Sequence, residues 1–290
     1  MRQFLDECYV LDTNVLLDYL FDYIDKNKHL QARELVKTLK KTASSIYIPN
    51  GVEFEVLKVI AESFMILRDL IILEMRKNDW DNLSVKDRLN ILDRTRNDFD
   101  QLFDDIRKKF YPNTSKGIRL SIAKRVFSTL ASQLIDKRLS EIRDDILTEN
   151  KIKDQEEYLT EKISKKFSTF PPSVTITNSF EEYLKHTIFM REFGKVKNVG
   201  LGDLVIFYEI LLAVKGRVCE TLIIISNDYD LITIRESLIK NLNDFMNSSN
   251  NKEHKKYARE IRDLISSNVK VEKVNEVINK IKSSHNQQFP

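Results

Sequence analysis

The first apolar run of the chain is short and stops abruptly. Tyr9-Val10-Leu11 gives way to Asp12-Thr13-Asn14, after which Val15, Leu16, Leu20 and Ile24 recur at helical spacing. This pattern predicts a buried strand, a polar turn and a helix. A second helix is expected over residues 27–41, with Leu30, Leu35, Val36 and Leu39 inward. Ser45-Ile46-Tyr47-Ile48 reads as the next strand, ended by Pro49, which cannot join a central ladder and can open a helix. A long helix is expected over residues 52–77. Strand, helix, helix, strand, helix predicts a parallel sheet with covering helices.

The sheet pattern then lapses for about a hundred residues. Residues 85–110, 116–147 and 154–167 read as helices, Pro171-Pro172 breaks the pattern, and Val174-Thr175-Ile176-Thr177 is a short strand or an extended linker. Another helix is expected over residues 180–193. The sheet pattern returns after Gly202-Asp203. Leu204, Val205, Phe207, Tyr208, Leu211 and Leu212 form an apolar helix face that ends at Gly216, a helix C-cap residue. Leu222 to Ile225 is a strongly apolar strand closed by Ser226-Asn227-Asp228. Helices over residues 232–245 and 252–266, a short edge strand over residues 269–271 and a last helix over residues 274–282 complete the chain. The expectation is an α/β core from residues 1–77 and 200–290, interrupted by an all-helical insertion subdomain over residues 78–199. Trp80, the single tryptophan, is expected to anchor core to insertion.

Composition narrows the classes. The chain has 290 residues, 42% hydrophobic and 31% charged, with only six Gly and five Pro, which favours long helices. Its net charge of +3 does not by itself announce a nucleic-acid binder. Cys8 and Cys219 each open a predicted buried strand, where a free thiol behaves as a small hydrophobe. With four scattered His they form no zinc spacing. No apolar stretch suits a signal peptide or a membrane span. A reduced, cytoplasmic chain is expected.

The chemistry lies at the strand ends. Asp12 and Asp228 each follow a buried strand. Glu53 and Glu55 open the helix after Pro49, and Asp203 opens the helix before the last core strand. In an open α/β sheet these positions share one edge, where ligands bind. Converging carboxylates repel one another unless a cation neutralises them, and a hard ion such as Mg²⁺ or Mn²⁺ suits oxygen donors. Singly, each acid reads as a helix cap or a surface carboxylate, and that reading is kept for Glu53, Asp18, Asp22 and Glu209.

The order Asp12-Thr13-Asn14, Glu55, Gly202-Asp203 and Ser226-Asn227-Asp228 resembles the PIN-domain nucleases, and the long insertion resembles the larger bacterial PIN-like proteins with a helical insert. The resemblance covers about residues 1–77 and 200–282. It implies a three-layer α/β/α sandwich around a parallel sheet and Mg²⁺- or Mn²⁺-dependent hydrolysis of phosphodiesters, most often in RNA. It implies that Asp12, Glu55, Asp203 and Asp228 are the catalytic metal ligands, with Asp230 an additional acid and Asn14 supporting Asp12. Products with 5′-phosphate and 3′-hydroxyl ends are implied, and roles as a toxin, a phage-defence effector or an RNA-processing enzyme are all compatible.

Two basic stretches are candidates for holding nucleic acid. Arg107 to Arg125 has no acidic residue and includes Lys116, Arg119, Lys124 and Arg125, with Phe110 and Tyr111 interleaved. The alternative is a solvated helix pair balanced by the acidic stretch from Asp98 to Asp105. The second stretch, with Arg191, Lys195 and Lys197, leads into Gly202-Asp203. The expected partner is RNA before DNA, with a regulatory protein or a second copy of the chain also compatible. Two other readings stand beside the endoribonuclease: a scaffold that has lost catalysis, and a structure-specific DNA nuclease.

Overall fold

The computed structural model describes residues 5–22, 25–42, 45–141, 157, 161, 163, 165, 167–169, 180–197, 199, 201–216, 219–228 and 230–286. Two compact units emerge. One comprises Met1–Leu20, Asn27–Glu55 and Ser164–Pro290, the other Phe21–Lys26 and Val56–Ile163.

The first unit is built on a parallel sheet of β1 (Leu5–Leu11), β2 (Ser45–Ile48), β3 (Ser168–Thr169), β4 (Cys219–Ile225) and β5 (Val269–Glu272). The strands lie in the order β3-β2-β1-β4-β5. Tyr9 pairs with Ile223 and Leu11 with Ile225 across β1 and β4, while Tyr9 pairs with Ile46 across β1 and β2. Consecutive residues Cys8 to Leu11 and Leu222 to Ile225 are all buried. Since successive side chains point to opposite faces, both faces of the central strands are covered, the mark of a parallel sheet between helical layers. The covering helices are α1 (Thr13–Leu20), α2 (Lys26–Lys41), the start of α3 (Asn50–Lys77), and, numbering on past the helices of the second unit, α7 (Phe180–Phe193), α8 (Leu201–Lys215), α9 (Asp230–Ser248), α10 (Lys252–Asn268) and α11 (Val274–Asn286).

The second unit holds the rest of α3 with α4 (Val85–Asn97), α5 (Phe99–Phe110) and α6 (Gly117–Leu134). Its core gathers Leu67, Ile71, Trp80, Phe99, Phe103 and Phe127. Trp80 is buried, donates its indole N–H to the Lys137 carbonyl at 2.9 Å, and stacks under the Arg88 guanidinium. It anchors this unit's own core.

Several expectations change. The stretch expected to be all-helical supplies β3, which pairs with β2 through Tyr47–Ser168 and Ile48–Thr169. Two residues are too short for a hydrophobic pattern to announce. The division also falls inside α3 rather than after it. The single helix expected over residues 85–110 breaks at Asp98, so that Phe99 and Phe103 can turn onto Phe127. The expected extended segment at residues 174–177 lies outside the described residues. Cys8 and Cys219, expected as free thiols, are joined in a disulfide with Cα atoms 5.9 Å apart. The adjacency of β1 and β4 makes the bond reachable, and nothing in the sequence placed those strands side by side. Among the described residues no helix is long and apolar enough to cross a membrane.

Candidate functional site

Strand order fixes where a ligand can sit. The chain runs outward from β1 to β2 and β3, then returns to the other side of β1 for β4 and β5. The order therefore reverses between β1 and β4, and the crevice beyond the carboxyl ends of those strands is the topological switch point. Asp12 and Ser226 are the first residues past those two ends. The Asp12 N–H still bonds the Ile225 carbonyl at 3.0 Å, and the Ser226 N–H bonds the Glu272 carbonyl of β5 at 3.1 Å. Both side chains are held by the last rungs of the ladder.

A polar frame connects the carboxylates. The Ser226 hydroxyl donates to Asp12 Oδ2 at 2.8 Å and accepts the Asp228 N–H at 3.0 Å. The Thr13 N–H donates to Asp12 Oδ1 at 2.7 Å, and the Thr13 hydroxyl donates to Glu55 Oε2 at 2.6 Å. The Asn14 amide donates to Asp228 Oδ2. Asn14, expected to support Asp12, thus supports Asp228. Thr13, Asn14 and Ser226 together tie Asp12, Glu55 and Asp228 into one network drawn from β1, α3 and β4.

Helix α8 completes the positioning of Glu55. Gly202 lies so close that an added Cβ would stand 1.6 Å from Glu55 Oε1. One turn earlier on α3, Glu209 of α8 accepts the Gly51 N–H at 3.1 Å and the Asn50 amide at 2.9 Å. A Cβ on Gly51 would meet Val205 Cγ1 at 3.0 Å, so a larger residue there requires α8 side chains to give way by a few tenths of an ångström. Glu209, read from sequence as an ordinary surface acid, caps the helix that carries Glu55.

Electrostatics single out Asp12. Burial pushes its carboxyl up to about 7. The Ser226 hydroxyl and the Thr13 N–H oppose that rise, while the Asp228 and Glu55 charges add to it. Two of its acceptor sites are used. An ionised carboxylate offers about four, so capacity remains for a further ligand.

The other expected residues lie as follows. Asp203 is half-buried in the first turn of α8, next to Gly202. Asp230 opens α9, is exposed, and has no hydrogen bond to the Asp12 network among the described residues. Glu53 sits in the first turn of α3. Among the described residues no three His, Cys, Asp or Glu stand close enough to hold one ion in common.

Most of the expected basic contacts are spent internally. Arg119 pairs with Glu62 at 2.6 Å and is largely buried; Lys124 pairs with Asp100 at 2.7 Å. Arg107 and Lys108 both pair with Asp104, each at 2.8 Å. The Lys108 and Arg107 hydrogen bonds hold the Asp104 carboxyl down at about 2. Arg191 and Lys195 flank the buried Glu192 at 2.8 and 2.6 Å, and Arg191 lies over the Phe245 ring. Lys116 precedes α6 and lines an acidic hollow with Asp98, Asp100 and Asp104; Lys197 is exposed, and Arg125 lies on α6.

No protein-family model matches the chain, and comparison with curated proteins and with solved structures likewise found no match.

Proposed function

We propose that the chain is a metal-dependent endonuclease of the PIN type that hydrolyses phosphodiester bonds, with RNA as the expected substrate. One observation carries the reading: Asp12, Glu55 and Asp228, far apart in sequence, share one hydrogen-bonded network at the sheet's switch point, with Asp12 buried. Carboxylates tied through Thr13, Asn14 and Ser226 into one network around a buried Asp12 serve no packing need and invite a counter-ion. The donors are all oxygen, which suits Mg²⁺ or Mn²⁺. Mg²⁺ is commonly held by one or two carboxylates, with water and substrate oxygens completing the shell, so a closed protein cage is not required. Asp12 and Asp228 would be the principal ligands, with Glu55, Asp203 and Asp230 around them.

A bound ion would supply a Lewis acid that lowers the pKa of a water and neutralises phosphoryl charge. The chain's own residues do the rest. Thr13 and Ser226 fix one oxygen each of Asp12, so its free acceptor sites keep a constant direction. Asn14 holds Asp228 in the same way, and Thr13 holds Glu55. Asp12 retains a proton below about pH 7 and must release it before it can ligate a cation.

The absence of a three-acid cluster among the described residues favours a second reading, the non-catalytic scaffold. Titration calorimetry with Mn²⁺ separates the two. The nuclease reading predicts saturable binding at pH 8 that Asp12→Asn and Asp228→Asn each weaken at least about tenfold. Equal heats in all three proteins, or none in any, would leave the scaffold.

A further inference from the structure

The outward face of α2 carries a row of cations. The buried residues Ala32, Leu35, Val36 and Leu39 define its inner face. At 100° per residue, Arg33, Lys37 and Lys41 turn away from that face together with Leu30, which is 55% exposed, while Lys40 lies on the flank; all four cations are exposed. Glu34 is the helix's only acid; it shares the outward side and is occupied by Lys282 at 2.6 Å. Arg33, Lys37 and Lys41 have no acidic partner among the described residues, and Lys40 stands near the Phe167 ring, 5.9 Å from its centroid.

A helix face that merely meets water usually mixes signs, so that neighbours at i,i+4 attract. Here Arg33 faces Lys37 and Lys37 faces Lys41, both at i,i+4, and these like charges oppose folding. Lys40 and Lys41 have a local reason to be basic, since they lie at the helix's negative end. Arg33 and Lys37 have none. A row of unneutralised charge with a single exposed apolar side chain lacks the apolar centre of a protein interface. It has what a phosphate backbone needs, point charges at intervals of about 5–6 Å along a helix.

We propose that α2 is a single-stranded nucleic-acid binding surface, with Arg33, Lys37 and Lys41 contacting successive phosphates. This rests on the nuclease reading for its purpose: the row lies in the same unit as the carboxylate network, and the Asp18 carbonyl of α1 is bonded by His29 Nδ1 of α2 at 2.7 Å. It also shifts the expected contact away from Arg119, Lys124, Arg191 and Lys195, whose charges are already paired.

The test is fluorescence anisotropy with labelled mixed-sequence 16-nucleotide RNA and DNA, in EDTA so that no cleavage intervenes, across a salt series. The full-length chain is compared with Arg33→Gln/Lys37→Gln/Lys41→Gln and with Lys116→Gln/Lys124→Gln/Arg125→Gln. Loss of three phosphate contacts should flatten the slope of log affinity against log salt by about 2, or on the order of 100-fold weaker binding at 0.1 M salt. The control triple should bind as wild type does. A companion Arg33→Gln/Lys37→Gln variant, which leaves Lys41 at the helix's negative end, should melt at or above the wild-type temperature, because it removes only repulsion; a lower melting temperature in it would assign the row to folding and overturn the proposal. Unchanged affinity and slope in the α2 triple, or loss confined to the control triple, would overturn it as well. Binding of polyglutamate in place of RNA and DNA would replace it with an acidic protein partner. Binding that depends on α2 in a chain that never cleaves would uphold the surface and sink the nuclease reading alone.

Discussion

Asp12 is buried at the switch point of the sheet, and its titration couples stability to pH with a definite sign. The folded chain holds its proton up to about pH 7, whereas an unfolded Asp releases it near 3.8. The folded state therefore binds more protons over that interval, and stability falls as pH rises through it. The contribution is complete below the unfolded pKa and gone above about 7. In metal-free protein, Asp12→Asn should remove this decline. The variant should be more stable than wild type at pH 8, by about 4 kcal/mol at the very most, with the gap closing towards pH 4. Urea melts across that range would show it; a constant difference would contradict the buried ionisable site. A cation favours the charged form, so Mn²⁺ should stabilise wild type more at pH 8 than at pH 5; the stabilisation at pH 8 is about 2.7 kcal/mol at a hundredfold excess over its dissociation constant there. The acids at the strand ends were legible because each follows an apolar run at once. Their hydrogen-bond partners were not: Thr13 and Ser226 look like ordinary turn residues, and only the register of β1 on β4 shows which acid each one serves.

At the scale of elements, the junction of α3 and α8 decides where Glu55 points. Gly202→Ala would force a Cβ onto the Glu55 carboxyl, the far end of a flexible side chain, which can swing away. The expected outcome is a small change in melting temperature, loss of the Thr13–Glu55 hydrogen bond in a crystal structure, and Mn²⁺ affinity lowered by about tenfold. Unaltered Glu55 density would refute that role for Gly202. Strands β1 and β4 could be read from the chain because buried parallel strands are continuous apolar runs, and β2 because Ile46-Tyr47-Ile48 stops at Pro49. The break at Asp98 could not, since it carries neither Gly nor Pro and is dictated by packing of Phe99 and Phe103. The α2 row is not legible as a basic run for a different reason: its cations are spread at helical spacing among apolar, neutral and acidic residues.

At the scale of the molecule, the chain carries two cores with separate tasks. Trp80 packs in the core of the helical unit, and Trp80→Ala should cost about 3–5 kcal/mol in denaturant unfolding of that unit. Calorimetry on the same variant should find Mn²⁺ affinity retained, because every carboxylate of the network lies in the other unit. Loss of metal binding in that variant would show that the helical unit is needed to form the site. Neither the precise division between units nor the Cys8–Cys219 pairing could be read from sequence, since both depend on which elements become neighbours.

The most direct test of the central claim is a cleavage assay on mixed RNA and single-stranded DNA in Mg²⁺, Mn²⁺ or EDTA, with wild type beside Asp12→Asn and Asp228→Asn. Wild type should cleave RNA internally with either metal and not at all in EDTA, and both variants should lose at least about a hundredfold in rate. Cleavage that survives EDTA, or that Asp12→Asn leaves intact, would contradict it.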